Sequence, residues 1–136
     1  MNRICQSFFV EGDPVAQGRP RFARRGNFVS TYDPGTSRVW KQLVSLQVKS
    51  QRPDMYAKHV PLIVSLEFTM PRPKSAPKSL VHPVKKPDAD NLAKAILDAL
   101  ESILWEADQQ VVKLTIEKKY QSNDTITGVA ITVSPA

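Results

Sequence analysis

The chain has 136 residues, 41% of them hydrophobic, which suits one compact domain with a packed core and excludes wholesale disorder. Its formal net charge is +6. Cys5 is the only cysteine, which excludes a disulfide within the chain and a thiolate zinc site. The N-terminal apolar run is too short for a secretory signal, and no stretch approaches the roughly 18 apolar residues of a membrane span. We therefore expect a single domain over residues 1–136 in a soluble, cytoplasmic protein with no membrane contact.

The first 32 residues predict two strands separated by a basic loop. Ile4 to Glu11 alternate as a strand, with Phe8 and Val10 on one face. Gln17 to Gly26 is interpreted as an arginine loop that carries one aromatic side chain. Asn27 to Tyr32 is interpreted as a short strand that returns from this loop.

A helix, a strand and a proline-rich loop follow. The turn Asp33-Pro34-Gly35-Thr36 offers capping side chains for a helix that runs to about Ser50. The apolar stripe predicted for this helix consists of Val39, Trp40, Leu43, Val44 and Leu46. Leu62 to Met70 alternate as a half-buried strand, with the even-numbered residues inward. Pro71 to Pro87 contain too many prolines for regular structure.

The last third of the chain predicts a second helix and two further strands. Asp90 to about Leu104 reads as the helix, and its predicted core-facing residues are Leu92, Ile96, Ala99, Leu100 and Ile103. Val111 to Tyr120 alternate as a strand, and the inward residues predicted for it are Val112, Leu114, Ile116 and Tyr120. Ile126 to Val133 are predicted to pair with that strand as a hairpin. This order predicts an α/β (α+β) fold, with a single mixed or antiparallel sheet that carries two main helices.

Positive charge is gathered into two stretches that contain no acidic residue, Pro14 to Tyr32 and Pro71 to Pro87. Their basic residues are Arg19, Arg21, Arg24, Arg25, Arg72, Lys74, Lys78, Lys85 and Lys86. The other ten basic residues face 13 acidic ones, so the rest of the chain carries a charge of about −3. Such clustering is typical of a protein with a polyanionic partner. Loops that lysine and arginine merely solubilise would show the same pattern.

The segment Lys85 to Lys94 combines acids and bases at the start of the second predicted helix. Pro87 disfavours a helical conformation immediately before it. In an extended Asp88-Ala89-Asp90 the side chains alternate, so both carboxylates project to the same side. We expect Asp90 to cap the helix and Lys94 to lie four residues later on the same face.

This pair of carboxylates is a candidate metal site. Asp88 and Asp90, without histidine or thiolate, are hard oxygen ligands that favour Mg²⁺ or Mn²⁺ over zinc. A third carboxylate, Asp108, lies between the second helix and the Val111 strand, and a suitably placed strand would return it to the helix start. The alternative is that both aspartates before the helix serve only as caps and as partners of the helix dipole.

Two central stretches carry a resemblance to a known family. Residues 88–100, Asp-Ala-Asp-Asn-Leu-Ala-Lys-Ala-Ile-Leu-Asp-Ala-Leu, and residues 105–112, Trp-Glu-Ala-Asp-Gln-Gln-Val-Val, closely resemble the signature of the RusA family of Holliday junction resolvases. Residues 18–22, Gly-Arg-Pro-Arg-Phe, and residues 32–34, Tyr-Asp-Pro, are similar to the amino-terminal half of that family, especially of its phage and prophage members.

The resemblance implies a metal-dependent endodeoxyribonuclease that resolves four-way DNA junctions by paired phosphodiester hydrolysis in recombination and repair. It implies a homodimer with an α/β fold, and catalysis by Asp88, Asp90 and Asp108, with Lys94 essential. Many relatives carry two adjacent acids where this chain has Ala107-Asp108, and Asp108 aligns with the second of them. The spacing from the helix to Trp105 is one residue shorter than in some relatives.

The two basic stretches supply the candidate DNA contacts, which are Arg19, Arg21, Phe22, Arg24, Arg25, Lys74, Lys78, Lys85 and Lys86. Phe22 would either stack on a splayed base or anchor its loop in the core. Lys94 would either neutralise charge that develops on the phosphate or form an ion pair with Asp90 or Asp98 along the helix. Two other classes of protein also fit these residues: a non-catalytic DNA-binding protein and a metal-dependent RNA nuclease.

Overall fold

A computed structural model describes residues 4–18, 21–25, 28–32 and 35–136. In chain order the elements are β1 (Gln6–Glu11), β2 (Arg21–Arg25), β3 (Phe28–Tyr32), α1 (Gly35–Ser50), β4 (Leu62–Met70), α2 (Ala89–Leu100), β5 (Val111–Tyr120) and β6 (Gly128–Pro135). A short 3₁₀ turn, Asp108–Gln110, leads into β5. For β2 and β3 the structure describes the strands and their pairing but not their side chains. No helix in the described part of the chain is long and apolar enough to cross a membrane.

The predicted fold class is confirmed: one mixed sheet of four strands carries two helices. The strand order is β1-β6-β4-β5, with β4 and β5 parallel and the other pairs antiparallel. Two parallel neighbours need a crossover connection, and here α2 supplies it. The helix of such a unit starts at the carboxyl edge of the first strand and ends where the second strand starts. This topology decides where the functional side chains lie.

The predicted hairpin between the last two strands is wrong. β6 lies between β1 and β4, and β5 is the edge strand beside β4. The inward residues of β6, namely Val129, Ile131 and Val133, are completely buried, as predicted. A strand with such a face belongs in the middle of the sheet. β5 carries Lys113, Glu117, Lys118 and Lys119, and charged side chains reach water most easily from an edge strand.

The predicted inward face of β5 is only partly correct. Leu114, predicted to face inward, is 37% exposed. Val112, also predicted to face inward, is 62% exposed, whereas Val111 packs against the core. The cause is a register shift between Leu62 and Ile63 of β4, which pairs Leu62 with Val111 and Val64 with Leu114. One residue of β5 is thereby skipped, and the side chains before and after it change faces.

The predicted stripe of the first helix needs a correction. The apolar residues that α1 buries are Trp40, Val44 and Val48, while Val39 is 63% and Leu46 is 67% exposed. Both sets of residues recur at helical spacing, so the sequence alone offered two faces. Packing of α1 against α2 and β1 selects the first.

The second helix ends four residues earlier than predicted. α2 stops at Leu100 because Glu101 is extended and Ser102 has a positive φ of 74°. Leu104 and Trp105 are nevertheless completely buried. Both reach the core from an irregular turn. Their burial explains why the apolar pattern of the sequence continues beyond the end of the helix.

The prediction that Gln17 to Gly26 form a loop is only partly correct. Arg21–Arg25 form β2, which pairs antiparallel with β3, and β3 is the predicted returning strand shortened by one residue. The prediction of irregular structure from Pro71 to Pro87 is confirmed.

Candidate active site

Asp88 is the N-cap residue of α2, immediately before its first residue, at the carboxyl edge of β4. Its backbone is extended (φ −72°, ψ 144°), and its carbonyl oxygen accepts a hydrogen bond from the Leu92 N–H at 3.0 Å. The prediction that Asp90 caps the helix is therefore wrong. Pro87 restricts the residue before it and not the residue after it, so the helix can begin directly beyond Asp88. Ala89 and Asp90 lie in the first helical turn, so the predicted extended conformation of Asp88 to Asp90 is also wrong. Strand-like alternation therefore does not place the two carboxylates on one side.

The two carboxylates are not used to cap the helix. The Asp88 side chain makes no capping hydrogen bond, and both Asp88 and Asp90 are exposed. No salt bridge within the described residues involves either of them. Capping alone therefore does not account for this pair, and no hydrogen bond or salt bridge within the described part of the chain occupies either carboxylate.

Lys94 is exposed on α2, one turn beyond Asp90. Within the described residues it forms no salt bridge, and Asp98 instead pairs with Lys41 at 3.6 Å. The alternative that Lys94 serves as an ion-pair partner along the helix thus has no support among these contacts. Its ammonium group is available to a bound anion.

Lys118 supplies a further positive charge near Asp88, which the sequence analysis missed. Its Nζ donates hydrogen bonds to the carbonyl oxygens of Lys85 and Pro87, both at 2.8 Å. The end of β5 thereby holds the segment that leads into Asp88. The sequence did contain a signal for the unusual position of Lys118. It is the only charged residue at the even-numbered positions of β5, which are otherwise apolar and predicted to face inward.

Asp108 is held in place by two hydrogen bonds. The indole N–H of the completely buried Trp105 donates to Asp108 Oδ1 at 2.8 Å, and the Asp108 N–H donates to Glu101 Oε2 at 3.1 Å. Burial raises the pKa of Asp108, and the negative charges of Glu101 and Asp98 add to this, while the Trp105 hydrogen bond opposes it. The sequence did not predict a role for Glu101.

Gln110 holds the turn that presents Asp108. Its side-chain oxygen accepts from the N–H groups of Glu106 and Ala107 at 3.0 and 3.2 Å. Its amide nitrogen donates to the carbonyl oxygens of Ala57 and Val60 at 2.9 and 3.2 Å. The tryptophan and glutamine of the 105–112 signature therefore fix the aspartate between them.

The chain does not bring Asp108 to the other two aspartates. Asp108 contacts Glu101, which follows Asp90 by 11 residues and so lies about 16 Å further along the helix. The crossover topology requires this separation, because α2 starts at one edge of the sheet and β5 at the other. Among the residues that the structure describes, no group of three or more His, Cys, Asp or Glu side chains could hold a metal ion. That all three aspartates bind metal stays a prediction.

Asp88 and Asp90 by themselves fit a hard divalent cation. They offer only carboxylate oxygens, and Mg²⁺ is usually held by one or two carboxylates with several waters and substrate phosphate. Neither carboxylate is committed to a partner within the described residues. The donor set fits Mg²⁺, or Mn²⁺, at the start of α2.

The Pro71 to Pro87 stretch leads into this site, and its one arginine makes contacts within the protein, unlike its exposed lysines. Arg72 lies 5.1 Å over the Tyr120 ring and donates to the carbonyl oxygens of Gln121 and Pro77 at 3.2 and 2.8 Å. It therefore anchors the loop. The predicted DNA contacts in this stretch, all of them exposed, are Lys74, Lys78, Lys85 and Lys86.

The arginines from Arg19 to Arg25 follow a segment that contacts the start of α2. The Gln17 N–H donates to the Asn91 carbonyl oxygen at 2.9 Å, so the chain passes the first turn of α2 just before this stretch. Arg19 lies outside the described residues. The other predicted contacts, all on β2 with side chains outside the description, are Arg21, Phe22, Arg24 and Arg25. Their contact with DNA stays a prediction.

The raised pKa of Asp108 predicts a gain of stability when its charge is removed. A carboxyl whose pKa is higher in the folded state favours folding below its ordinary pKa, and this contribution is lost as the pH rises through the folded-state value. Asp108→Asn cannot ionise and keeps an oxygen for Trp105. We expect its melting temperature in EDTA to exceed that of the wild type at pH 7, with the difference closing in acid. Asp124→Asn, in an exposed turn, is the matched control. A lower melting temperature for Asp108→Asn at pH 7 would contradict this account.

Comparison with known proteins identifies the family. Residues 11–134 match the model of the family described as Endodeoxyribonuclease RusA. The chain is also 36% identical over 132 residues to the Uncharacterized protein YqaN of Bacillus subtilis (strain 168), a match that covers 90% of this chain and 92% of that protein. The chain belongs to the RusA family, as the sequence indicated. That membership implies a nuclease that acts on Holliday junctions.

Proposed function

We propose that the protein is a Mg²⁺-dependent endodeoxyribonuclease, with Mn²⁺ as a possible substitute, that resolves four-way DNA junctions by paired phosphodiester hydrolysis. We further propose that it acts as a homodimer in DNA recombination and repair. The observation that carries the proposal concerns Asp88 and Asp90, two residues apart at the start of α2. Both are exposed, the Asp88 side chain makes no capping hydrogen bond, and no described salt bridge involves either of them. A catalytic carboxylate pair has to be available in this way.

We assign different roles to the two aspartates and to the lysines around them. Asp88 and Asp90 would hold the metal, and Mg²⁺ when bound supplies the Lewis acidity that activates water and offsets phosphate charge. Lys94, one turn along the same helix face, is suited to neutralise charge that develops on the phosphate oxygens or the leaving oxygen. Lys85 and Lys86 would attract the DNA backbone to the site.

A second copy of the chain is the natural source of the third carboxylate. No described strand pairs with the outer edge of β5, where Val112 and Leu114 are also exposed. An open edge of this kind is a template for another strand. Antiparallel pairing of two β5 strands would set the start of each beside the end of the other.

This arrangement suits both the site and the substrate. Asp108 begins the 3₁₀ turn that leads into β5, and Lys118 links the segment before Asp88 to the end of β5. The proposed pairing would therefore bring Asp108 of one copy toward Asp88 and Asp90 of the other. A two-fold dimer with two such sites matches the two equivalent strands of a junction.

A substrate competition separates this function from its rivals. Labelled four-way junction is incubated with the protein in Mg²⁺, with unlabelled duplex DNA, forked DNA, four-way DNA or structured RNA as competitor. We expect cutting that four-way DNA suppresses at the lowest concentration. Binding without cutting would favour a non-catalytic DNA-binding protein, and suppression by RNA at still lower concentration would favour an RNA nuclease.

The exposed lysines of the Pro71 to Pro87 stretch should act on DNA mainly by neutralising phosphates. Each phosphate contact that is lost removes about 0.9 from the slope of log K against log salt for duplex DNA. We expect Lys74→Ala and Lys78→Ala each to lower the slope by about that amount. Lys49→Ala is the control, since Lys49 lies near Ser102, at the other end of α2. Slopes that equal the wild-type value in both loop variants would show that these lysines only solubilise the loop.

A further inference from the structure

A cavity of about 190 Å³ lies between the Pro71 to Pro87 stretch and the carboxyl ends of β4 and β5. Its apolar wall is formed by Met70, Pro71, Pro73, Pro83, Pro87 and Tyr120. Met70 and Pro83 are buried, and Pro73 is exposed at the surface. The cavity is separate from the carboxylates of the candidate active site, and no role has so far been given to it.

All the charged residues that line this cavity are positively charged. Lys85, Lys86 and Lys118 complete its lining, and no acidic residue takes part. Proline and tyrosine faces stack on flat, unsaturated rings, while lysine ammonium groups bind phosphate. A ligand that satisfies both has a flat ring joined to an anion, which is the chemistry of a nucleotide unit.

The walls of the cavity are held in place before any ligand arrives. The Tyr120 N–H donates to the Val81 carbonyl oxygen at 2.8 Å, and Arg72 covers the Tyr120 ring. On the opposite side, Lys118 fixes the carbonyl oxygens of Lys85 and Pro87. A preorganised wall loses little conformational freedom when a ligand binds.

The position of the cavity relates it to the reaction. Pro87 lines the cavity, and Asp88 is the next residue, so their Cα atoms are separated by one peptide unit of about 3.8 Å. A base in the cavity therefore belongs to a nucleotide close to the phosphate that Asp88 and Asp90 would engage. Bases at a branch point leave the stack more easily than bases inside a duplex.

We propose that this cavity receives one unstacked base next to the scissile phosphate and thereby sets the sequence at which the protein cuts. The proposal rests on the proposed function, because it presumes that a junction is bound with its phosphate at Asp88 and Asp90. It adds a specificity-determining subsite made by the proline-rich wall, Tyr120 and the lysine rim.

The test uses the full-length protein and a four-way junction whose branch point can migrate through many sequences. The positions of cleavage are read for the wild type and for Pro73→Phe, which fills the cavity from an exposed position. Ser75→Phe is the matched control, because Ser75 is exposed in the same loop and does not line the cavity. We expect cutting at the preferred sequence to fall about tenfold relative to other sequences in Pro73→Phe, the scale of one lost base stack, and to be unchanged in Ser75→Phe.

A second readout does not depend on cutting. Junctions with 2-aminopurine beside the cleavage position are bound in EDTA, where an unstacked base gives increased fluorescence. We expect the increase with the wild type and with Asp88→Asn, and its loss with Pro73→Phe. Tyr120→Ala removes the aromatic wall and should show the same loss, so a folding defect in one variant leaves the other informative.

The outcomes distinguish the two proposals. If the wild type cuts junctions but Pro73→Phe and Tyr120→Ala keep the wild-type cleavage pattern and fluorescence, the base subsite is wrong and the proposed function stands. If the wild type binds junctions and unstacks the base without cutting, the proposed function fails, and the cavity stands as a base-binding pocket but not as a determinant of the cutting sequence. Competition for the fluorescence signal by free deoxynucleoside monophosphates at micromolar concentration would overturn the subsite as a reader of junction DNA.

Discussion

Asp88→Asn and Asp90→Asn should each abolish junction cleavage while junction binding in EDTA stays intact or becomes tighter. Asparagine keeps the size of the side chain but removes the charge that binds the metal, so we expect cleavage to fall by more than the roughly 100-fold that follows loss of an outer-shell partner. Removing a negative charge next to a polyanion also reduces repulsion when no metal is present. Single-turnover cleavage in Mg²⁺ and a binding titration in EDTA measure the two effects separately.

The control for this experiment is Asp124→Asn, which makes the same chemical change in an exposed turn away from α2. It should cut and bind like the wild type. Near wild-type cleavage by either Asp88→Asn or Asp90→Asn would exclude that residue as a metal ligand. A parallel loss of binding would point instead to a defect in folding or DNA contact.

Mixing Asp88→Asn with Asp108→Asn should restore nicking that neither variant shows alone. If each site combines Asp88 and Asp90 of one copy with Asp108 of the other, a mixed dimer contains one site with both defects and one intact site. Random exchange of equal amounts gives about half mixed dimers, so we expect about a quarter of the wild-type nicking rate. Nicking and complete resolution are followed on the same labelled junction.

The mixed dimer should make single nicks without paired resolution, because only one of its two sites is intact. As a control, Asp88→Asn mixed with Asp90→Asn should stay inactive, since both changes lie in the same half of the site. No recovery in the first mixture would show that the aspartates do not combine across two chains. Full activity of Asp108→Asn alone would remove Asp108 from the catalytic set.

The sequence predicted what depends on local pattern and missed what depends on strand pairing. The bounds of β4 and β5 and the buried faces of β1 and β6 follow from alternation within one element. The place of β6 between β1 and β4 does not, because partner choice is set by how the whole core closes. The choice between two possible apolar stripes on α1 was decided in the same way.

The candidate site shows the same division. Asp88, Asp90 and Lys94 could be proposed as a group from the sequence because they lie within seven residues at a helix start. The distance from Asp108 to these residues could not be predicted, because it depends on the parallel crossover from β4 through α2 to β5. The cavity under the Pro71 to Pro87 stretch likewise arises only from contacts between distant segments, whereas Lys118 left a signal in the alternation of β5.

The most direct test of metal-dependent resolution is cleavage of a doubly labelled four-way junction by the purified wild-type protein, with Mg²⁺ or with EDTA. Two strands of like polarity carry different labels, so that paired and single nicks are distinguished. We predict symmetric nicks in both labelled strands with Mg²⁺, none with EDTA, and recovery when Mg²⁺ is added back in excess. Equal cleavage in EDTA, or no cleavage of the junction in Mg²⁺ by protein that binds it, would contradict the account.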